Sequence, residues 1–319
     1  MADVTLSATN RKPGRADVEA AYPRIEGAVR RTPVLDLGGL PGVDARVVLK
    51  LELTQHTGSF KARGALNNVL SLDGSATGVC AASGGNHAAA VAWAAQKVGV
   101  TADVFVPRTA TPAKIARIQE YGGRVHPVDG FVKEALEECA DFSTDENVPQ
   151  IHPYDTFETV SGAGTVGLEV AEQVPAASLV VLPCGGGGLF AGTATALTGR
   201  NMRVQPVEPE MCPALADALA AGGPVEVAVG GVASDALGAA RVGEIAYQVA
   251  VDTSVLPVLV SESEILEARR LLWSTARVLA EPGACVALAA VATGRVAAEV
   301  PAGETVVVVV SGGNNETIP

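Results

Sequence analysis

The chain has 319 residues, which is enough for two modest domains or for one large domain with a divided core. Its formal net charge of −12 argues against nucleic acid or an anionic membrane as a partner, because both bind basic surfaces. Although 48% of the residues are apolar, no apolar run approaches the roughly 18 residues that a membrane-spanning helix needs.

The N-terminus and the cysteines indicate a cytoplasmic protein. Arg11, Lys12 and Arg15 are not followed by an apolar stretch, so we expect no secretory signal and a loose tail of about a dozen residues. The five cysteines show neither CxxC spacing nor a paired framework, which suits a reducing compartment. With only four histidines and no HExxH sequence, we expect no catalytic zinc site.

Short apolar runs alternate with longer segments of helical spacing, and this pattern predicts an α/β protein with mostly parallel strands. The predicted strands are residues 47–51, 79–82, 103–107, 124–128, 179–184, 203–208, 255–260 and 306–310. Residues 88–97, 112–121, 165–173 and 262–279 have the apolar spacing of helices. No linker is visible in the composition.

The first candidate site in chain order is Lys61, within the sequence QHTGSFKARGA. Ser59, Phe60 and Gly64 make its surroundings small and apolar. Desolvation lowers the pKa of a lysine and produces the neutral amine that attacks an aldehyde. A solvated surface lysine is the ordinary alternative, and composition alone supports the two interpretations equally.

Two similar turns follow predicted strands and have the sequences SGGNH, starting at Ser83, and SGGNN, starting at Ser311. The first opens a predicted helix, so its backbone N–H groups suit a carboxylate, and Asn86 can donate a hydrogen bond to a phenolate oxygen. Ser311 and Asn314 are also ordinary turn residues. Each of the two turns is weak evidence when it is taken alone.

The strongest single signal is the tetraglycine loop, residues 185–189, which consists of Gly185, Gly186, Gly187, Gly188 and Leu189. It joins a predicted strand to a helix, where converging backbone N–H groups and the helix N-terminus favour a phosphate. Ordering four consecutive glycines is costly, which argues against a simple flexible turn. A nicotinamide dinucleotide site is the alternative, because Glu208 follows the next strand at the expected spacing.

Read together in chain order, QxTGSFKxRGA, SGGNH, GGGGL and SGGN resemble the fold type II pyridoxal-phosphate enzymes, specifically the serine/threonine dehydratase and serine racemase family. The resemblance extends from Arg31 to Ser311, nearly the whole chain. It implies a tryptophan synthase β-like fold, with two open, twisted, mostly parallel sheets flanked by helices. It also implies pyridoxal 5'-phosphate as the cofactor.

The resemblance implies a cofactor-binding role for several residues. Lys61 would hold the cofactor as a Schiff base and then remove the Cα proton of the substrate. Phe60 would pack beside the cofactor ring, Asn86 would bind the ring oxygen, and Ser311 would bind the pyridine nitrogen. The tetraglycine loop would bind the phosphate. Glu281 matches a family glutamate near the cofactor, and the alternative is that it is a residue at the start of a helix.

The resemblance places the substrate carboxylate at residues 83–87, which we call the carboxylate loop. Ser83, Gly84, Asn86 and His87 would hold that group together with the surrounding N–H groups, and Ser83 is the second candidate catalytic residue beside Lys61. The leaving hydroxyl would take its proton from the cofactor phosphate. The neutral Ser311 would leave the pyridine nitrogen largely unprotonated, which favours loss of the hydroxyl over transamination.

Three positions depart from the family pattern. Racemases of the family resemble Ser-Ser-Gly at the start of the carboxylate loop, whereas Gly84 has no side chain to act on the second face of the substrate. The family's divalent-cation site follows a pair resembling Glu208-Pro209, and Ala214 replaces a further carboxylate. Ala163 stands where the family has glutamine.

These observations predict an ammonia-lyase that dehydrates and deaminates a small L-hydroxy amino acid, such as threonine or serine, to a 2-oxo acid and ammonia. The alternatives are a 3-hydroxyaspartate dehydratase, whose second carboxylate would meet Lys133 or Arg241, a serine or other amino-acid racemase, and a β-replacing synthase, against which His87 argues. From another class, a nucleotide-binding oxidoreductase or a non-catalytic nucleotide-binding module remains.

We expect a homodimer, as in the relatives, with a small-molecule amino acid as the substrate. The large cofactor-binding domain is predicted to comprise residues 1–64 and 151–319. Residues 65–150 are predicted to form a small mobile domain that closes over the substrate.

Overall fold

The computed structural model describes residues 11–296 and 303–315, so most of the predicted N-terminal tail lies outside the described residues. The helices are α1 (Arg15–Ile25), α2 (Lys61–Leu70), α3 (Asn86–Val98), α4 (Pro112–Glu120), α5 (Val132–Asp145), α6 (Phe157–Gln173), α7 (Gly188–Ala196), α8 (Ala214–Ala221), α9 (Ser234–Leu237), α10 (Glu244–Thr253), α11 (Glu262–Ala276) and α12 (Pro282–Ala292). The strands are β1 (Val34–Leu40), β2 (Val43–Leu51), β3 (Gly78–Ala82), β4 (Thr101–Pro107), β5 (Arg124–Val128), β6 (Ala177–Pro183), β7 (Arg203–Pro209), β8 (Val258–Val260) and β9 (Thr305–Val310).

The strands form two sheets flanked by helices, and the predicted fold class is confirmed. A six-stranded sheet has the order β1-β2-β9-β6-β7-β8, and a three-stranded sheet has the order β3-β4-β5. Every neighbouring pair is parallel except β1 and β2, which form an antiparallel pair. The carboxyl ends of parallel strands meet at one edge of a sheet, which is where an open α/β sheet binds its ligands.

Each predicted strand overlaps a strand of the structure, and the valine run at residues 306–310 shows why. Val306, Val308 and Val310 pack on one face of the larger sheet, against α11 and α12. Val307 and Val309 pack on the other face, against α6, α7 and α10. A strand that is buried on both faces is apolar throughout, so it is conspicuous in the sequence.

The four predicted helices are present, with corrections at their ends. The helix predicted at residues 165–173 begins at Phe157, because Thr156 accepts a hydrogen bond from Thr159 N at the N-terminus. Glycines hide the apolar spacing of its first half. A Cβ on Gly162 or Gly164 would lie 2.6–2.7 Å from the backbone of α2 or α7, so close helix packing requires these glycines.

The N-terminal turn of α2 is held by a buried group of charged residues. Arg63 donates hydrogen bonds to the carboxylates of Glu52 and Glu169, and Lys50 donates to Glu169 as well. All four side chains are at most 1% exposed. Because two cations face two carboxylates, the buried charges are paired, and this arrangement positions the start of α2.

Within the described ranges, none of the helices has both the length and the apolar character needed to cross a bilayer.

Candidate active site

The start of α2 lies beside the end of β9, which brings two predicted site residues together. Phe60 N donates a hydrogen bond to Ser311 O at 3.0 Å, and Gly313 N donates to Gly58 O at 2.9 Å. Ser59 and Gly312 form an isolated antiparallel bridge between them. The segment that ends in Lys61 is therefore fastened to the loop that follows β9.

Lys61 is the first residue of α2, and its amine lies in apolar surroundings. Its Nζ donates a hydrogen bond to Pro153 O at 2.6 Å. It also lies 5.3 Å from the ring centroid of Phe60 and 5.9 Å from that of Tyr154. Desolvation by burial lowers the pKa of Lys61 to about 8. The neutral fraction of the amine near physiological pH is therefore much larger than for a solvated lysine, whose pKa is 10.5.

A second buried lysine shows what distinguishes Lys61. The Nζ of Lys50 donates hydrogen bonds to Thr32 O, to a carboxylate oxygen of Glu169 and to Gln173 Oε1. Lys61 has no carboxylate partner among the residues that the structure describes. Lys50 is thus held as a structural cation, whereas the amine of Lys61 is available for chemistry.

A small cavity beside Lys61 joins parts of the chain that the sequence analysis treated separately. Its lining includes Phe60, Lys61, His87, Pro153 and Gly188. The cavity therefore connects the start of α2 with the carboxylate loop and the tetraglycine loop.

The tetraglycine loop has no space for side chains. A Cβ on Gly185 would lie 2.9 Å from the backbone of Leu237, and one on Gly186 would lie 2.3 Å from the ring of Tyr154. Gly187 has a φ of +86° and would place a Cβ 2.3 Å from that of Ala246. Glycine is thus required both by the backbone conformation and by the neighbours.

The backbone N–H groups of the tetraglycine loop are suited to an anion. Within the described ranges, Gly185, Gly186, Gly187 and Gly188 donate no hydrogen bond from their N–H groups. Helix α7 begins at Gly188 and adds its positive N-terminus. The side chain of Leu189 packs in the core, so only its N–H group is available to a ligand.

The carboxylate loop forms a second set of unpaired N–H groups, at the start of α3. Gly84, Asn86 and His87 donate no backbone hydrogen bond to any described residue. Ser83 Oγ accepts a hydrogen bond from Gly85 N at 3.1 Å, which shapes the turn. This loop can hold a carboxylate by its backbone alone.

The side chain of His87 is occupied in another contact. Its Nε2 lies 2.9 Å from Ile151 O, and it must be the donor because a carbonyl oxygen only accepts. Burial, followed by the charge of Lys61, lowers the pKa of His87 to about 3, so the ring is neutral. Its remaining ring nitrogen can only accept a hydrogen bond, so the ring has no N–H left for a carboxylate, whereas the backbone N–H of His87 is unpaired among the described residues.

Asn86 lies in a chain of side-chain hydrogen bonds that fixes its amide. Its Nδ2 donates to Glu281 Oε1 at 2.7 Å, and its Oδ1 accepts from Asn314 Nδ2 at 2.6 Å. One N–H of the amide remains for a ligand. Burial raises the pKa of Glu281 to about 7. Glu281 also occupies the N-cap position of α12, which agrees with the alternative prediction that it lies at the start of a helix.

Ser311 is 4% exposed and follows β9. No hydrogen bond to its hydroxyl is found among the described residues, so the group is available to a ligand.

The segment from His152 to Asp155 was not predicted from the sequence, and it contacts several of these groups. Pro153 O accepts the hydrogen bond of Lys61, and Tyr154 covers Gly186 and Gly188. The available signal was a tyrosine next to a proline in a chain with only 4% aromatic residues. A backbone carbonyl leaves no such signal.

Glu208 has a structural role. Its carboxylate oxygens accept hydrogen bonds from Leu215 N at 2.7 Å and Ala216 N at 2.9 Å, in the first turn of α8. Burial raises the pKa of Glu208 to about 8. Ala214 opens the same helix and offers no carboxylate, and the described residues contain no group of three His, Cys, Asp or Glu side chains suited to a metal ion.

The arrangement fits a phosphorylated aldehyde cofactor. Two sets of unpaired N–H groups suit a phosphate and a carboxylate, an amine with a lowered pKa lies beside both, and an unpaired hydroxyl follows β9. A Cβ on any of the four glycines 185–188 would lie 2.3–2.9 Å from a neighbouring residue, so these positions keep their exposed backbone only as glycine.

Comparison with known proteins agrees with this interpretation. Residues 25–312 match the family model described as pyridoxal-phosphate dependent enzyme. The chain is 36% identical to phenylserine dehydratase of Ralstonia pickettii over 97% of its own length and 95% of that protein. The structure of maize serine racemase superposes with a TM-score of 0.89 at 31% identity, covering 96% of this chain and 95% of that one.

A threonine deaminase structure from T.th. gives a TM-score of 0.88 at 36% identity, over 96% of this chain and all of that one (100%). The nucleotide-dependent oxidoreductase is thereby excluded. The chain belongs to the pyridoxal-phosphate-dependent enzymes of fold type II, in the family that contains the threonine and serine dehydratases and the serine racemases.

Proposed function

We propose that the enzyme is an ammonia-lyase that converts a small L-hydroxy amino acid, such as threonine or serine, into a 2-oxo acid and ammonia. The observation that carries this proposal is the position of Lys61. Its amine has a lowered pKa and lies beside two separate sets of unpaired N–H groups. One set suits the phosphate of the cofactor and the other suits the carboxylate of an amino acid.

The residues of this chain bind, orient and move one proton. When bound, pyridoxal phosphate withdraws electrons from the substrate and makes its Cα–H acidic. The neutral amine of Lys61 then accepts the Cα proton, because its pKa of about 8 suits a base that works near neutral pH. The carboxylate loop orients the substrate, and the rings of Phe60 and Tyr154 cover part of the surface around Nζ.

Racemisation is the second candidate, and the similarity to maize serine racemase favours it. A racemase needs a second proton-transferring group on the face of the substrate opposite Lys61. The carboxylate loop has Gly84 at the position where the racemases resemble serine. Ser83, our second candidate catalytic residue, is already an acceptor for Gly85 N. Elimination is therefore the favoured outcome.

The choice among hydroxy amino acids turns on the substrate side chain. A 3-hydroxyaspartate would need a cation for its second carboxylate. Arg241 pairs with Glu244 at 2.9 Å, and Lys133 is exposed at the start of α5. Neither residue lines the cavity beside Lys61, which favours a neutral side chain. The similarity to phenylserine dehydratase adds aryl-substituted hydroxy amino acids to the substrates worth testing.

We also propose a homodimer in the cytoplasm, in which residues 65–150 form a small domain that closes over the substrate. A larger cavity of about 240 Å³ supports this division. It lies between α3 and α4 on one side and α9 and α12 on the other, where such a closing motion would act.

The test is a panel of L-serine, L-threonine, 3-phenylserine and 3-hydroxyaspartate, with release of 2-oxo acid and ammonia as the measurement. Borohydride reduction followed by peptide mapping should find the cofactor on Lys61. Lys61→Ala should abolish turnover, whereas Lys97→Ala, at an exposed position of α3, should not. An adduct on Lys50 or Lys114, or a panel that gives rapid D-amino acid without 2-oxo acid, contradicts the proposal.

A further inference from the structure

The segment from His152 to Asp155 touches the reactive amine and the tetraglycine loop within consecutive residues. Pro153 O accepts the hydrogen bond of Lys61 Nζ at 2.6 Å. The next residue, Tyr154, has its ring against Gly186 and its backbone against Gly188. Its hydroxyl donates to Arg241 O at 3.0 Å. The segment thus spans from Lys61 to the chain that leads into α10.

The start of α10 forms the other side of the tetraglycine loop. Gly243 N donates a hydrogen bond to Gly186 O at 3.1 Å. Ala246, in the first turn of α10, is packed so closely against Gly187 that a Cβ there would lie 2.3 Å from it. Helix α10 is therefore in direct contact with two of the glycines whose N–H groups are unpaired among the described residues.

Asp155 fastens the start of α10. Its Oδ2 accepts a hydrogen bond from Glu244 N and its Oδ1 accepts one from Ile245 N, each at 3.0 Å. These are first-turn N–H groups, which have no partner within a helix. The N-cap residue of α10 is Gly243, which has no side chain that could accept hydrogen bonds from these N–H groups. A Cβ on Gly243 would lie 2.7 Å from Asp155 Oδ1. The cap is therefore supplied by a distant residue.

We propose that Asp155 is a positioning residue for the cofactor phosphate. By capping α10 it holds Gly243 and Ala246 against the tetraglycine loop, so that the N–H groups of the loop are oriented before the phosphate arrives. It also occupies the anion-binding end of α10, which leaves the N-terminus of α7 as the anion site of the loop. This inference rests on the proposed placement of the cofactor phosphate at that loop.

The experiment compares the affinity of the apoenzyme for pyridoxal phosphate and for pyridoxal, which lacks the phosphate. Asp155→Ala removes both acceptors and should weaken binding of pyridoxal phosphate roughly fivefold to tenfold, the effect of losing a helix cap. Binding of pyridoxal should be unchanged. Asp155→Asn keeps one acceptor oxygen and should give an intermediate loss, which also covers the case in which the alanine variant folds poorly.

Ser261→Ala is the matched control, because Ser261 caps α11 on the opposite face of the larger sheet. It should lower the thermal stability of the apoenzyme without changing either affinity. Unchanged or tighter binding of pyridoxal phosphate by folded Asp155 variants overturns the proposal. Equal weakening of both ligands overturns it too, since Asp155 would then act on Lys61 or on the whole site.

A further variant separates this inference from the placement of the phosphate. Gly187→Ala puts a side chain into the loop at a φ of +86°. If it weakens binding of pyridoxal phosphate and the Asp155 variants do not, only the inference about Asp155 fails. If neither position matters, the tetraglycine loop is not the phosphate site.

Discussion

The lowered pKa of Lys61 makes a prediction about stability that needs no substrate. Burial disfavours the charged amine in the folded chain, whereas the unfolded chain has the ordinary lysine pKa of 10.5. Between the folded and unfolded pKa values the unfolded state binds more protons, so the free energy of unfolding of the apoenzyme rises with pH across that window. Below about pH 8 the full penalty of burying the charge is present.

The magnitude follows from the two pKa values. With a folded pKa of about 8 and an unfolded value of 10.5, the contribution of Lys61 to stability rises by about 2 kcal/mol between roughly pH 8 and pH 10. The lysine side chain is partly exposed, and solvent screening reduces the effect. We therefore expect about 1–2 kcal/mol.

The assay is urea unfolding of the apoenzyme and of its Lys61→Met variant at both pH values. Methionine keeps the approximate length of the side chain and cannot titrate. The difference in unfolding free energy between the two proteins should change by the expected amount in favour of the native lysine as the pH rises. Parallel pH dependence of the two proteins would show that the amine of Lys61 is not desolvated, and would remove the physical basis for its role as a base.

Three further predictions concern the cofactor and the substrate. Ser311→Asp should lower the ratio of 2-oxo acid to by-products, because a carboxylate raises the pKa of the pyridine nitrogen of the cofactor. The ratio is measured by chromatography. An unchanged ratio in a cofactor-loaded variant contradicts a contact between Ser311 and the pyridine nitrogen. Gly186→Ala should weaken cofactor binding by about 1–3 kcal/mol, since its Cβ would lie 2.3 Å from the ring of Tyr154. Titration of the apoenzyme with the cofactor measures the affinity, and an unchanged affinity would contradict the prediction. Gly84→Ser should raise formation of D-serine from near zero, measured by chiral chromatography. The added Cβ lies 3.1 Å from that of Ala110, so Ala110→Gly should improve the variant, and rapid racemisation by the native enzyme refutes the account.

The parts of the fold that could be predicted are those whose burial determines their composition. The doubly buried strand at residues 306–310 consists of valine because both faces need apolar side chains. Helix α12 was missed for the related reason that it is apolar on all sides, so it shows no helical periodicity. Strand β1 was missed because its sequence VLDLGGL contains adjacent glycines and lies at the antiparallel edge.

In the candidate site, too, some residues could be predicted from the sequence and others could not. The tetraglycine loop, Lys61 and the carboxylate loop could be proposed as site residues from the sequence, because their residue types suggest the chemistry. The contacts of Pro153 and Asp155 could not be proposed in this way. One is a backbone carbonyl, which every residue has, and the other caps a helix whose first residue lies 89 positions further along the chain. Contacts of this kind depend on how distant segments pack, and no local pattern encodes them.

The proton chemistry of the site can be traced to few groups. In our proposal the tetraglycine loop and the carboxylate loop bind anions through backbone N–H groups, which do not titrate. Burial lowers the pKa of His87 to about 3 and that of His152 to about 4, so both rings stay neutral at physiological pH. Glu281, with a pKa raised by burial to about 7, is bound to Asn86 and does not contact Lys61. The amine of Lys61 lines the cavity between the two loops and has a pKa of about 8, so it can gain and lose a proton under working conditions, as our proposal that it removes the Cα proton requires.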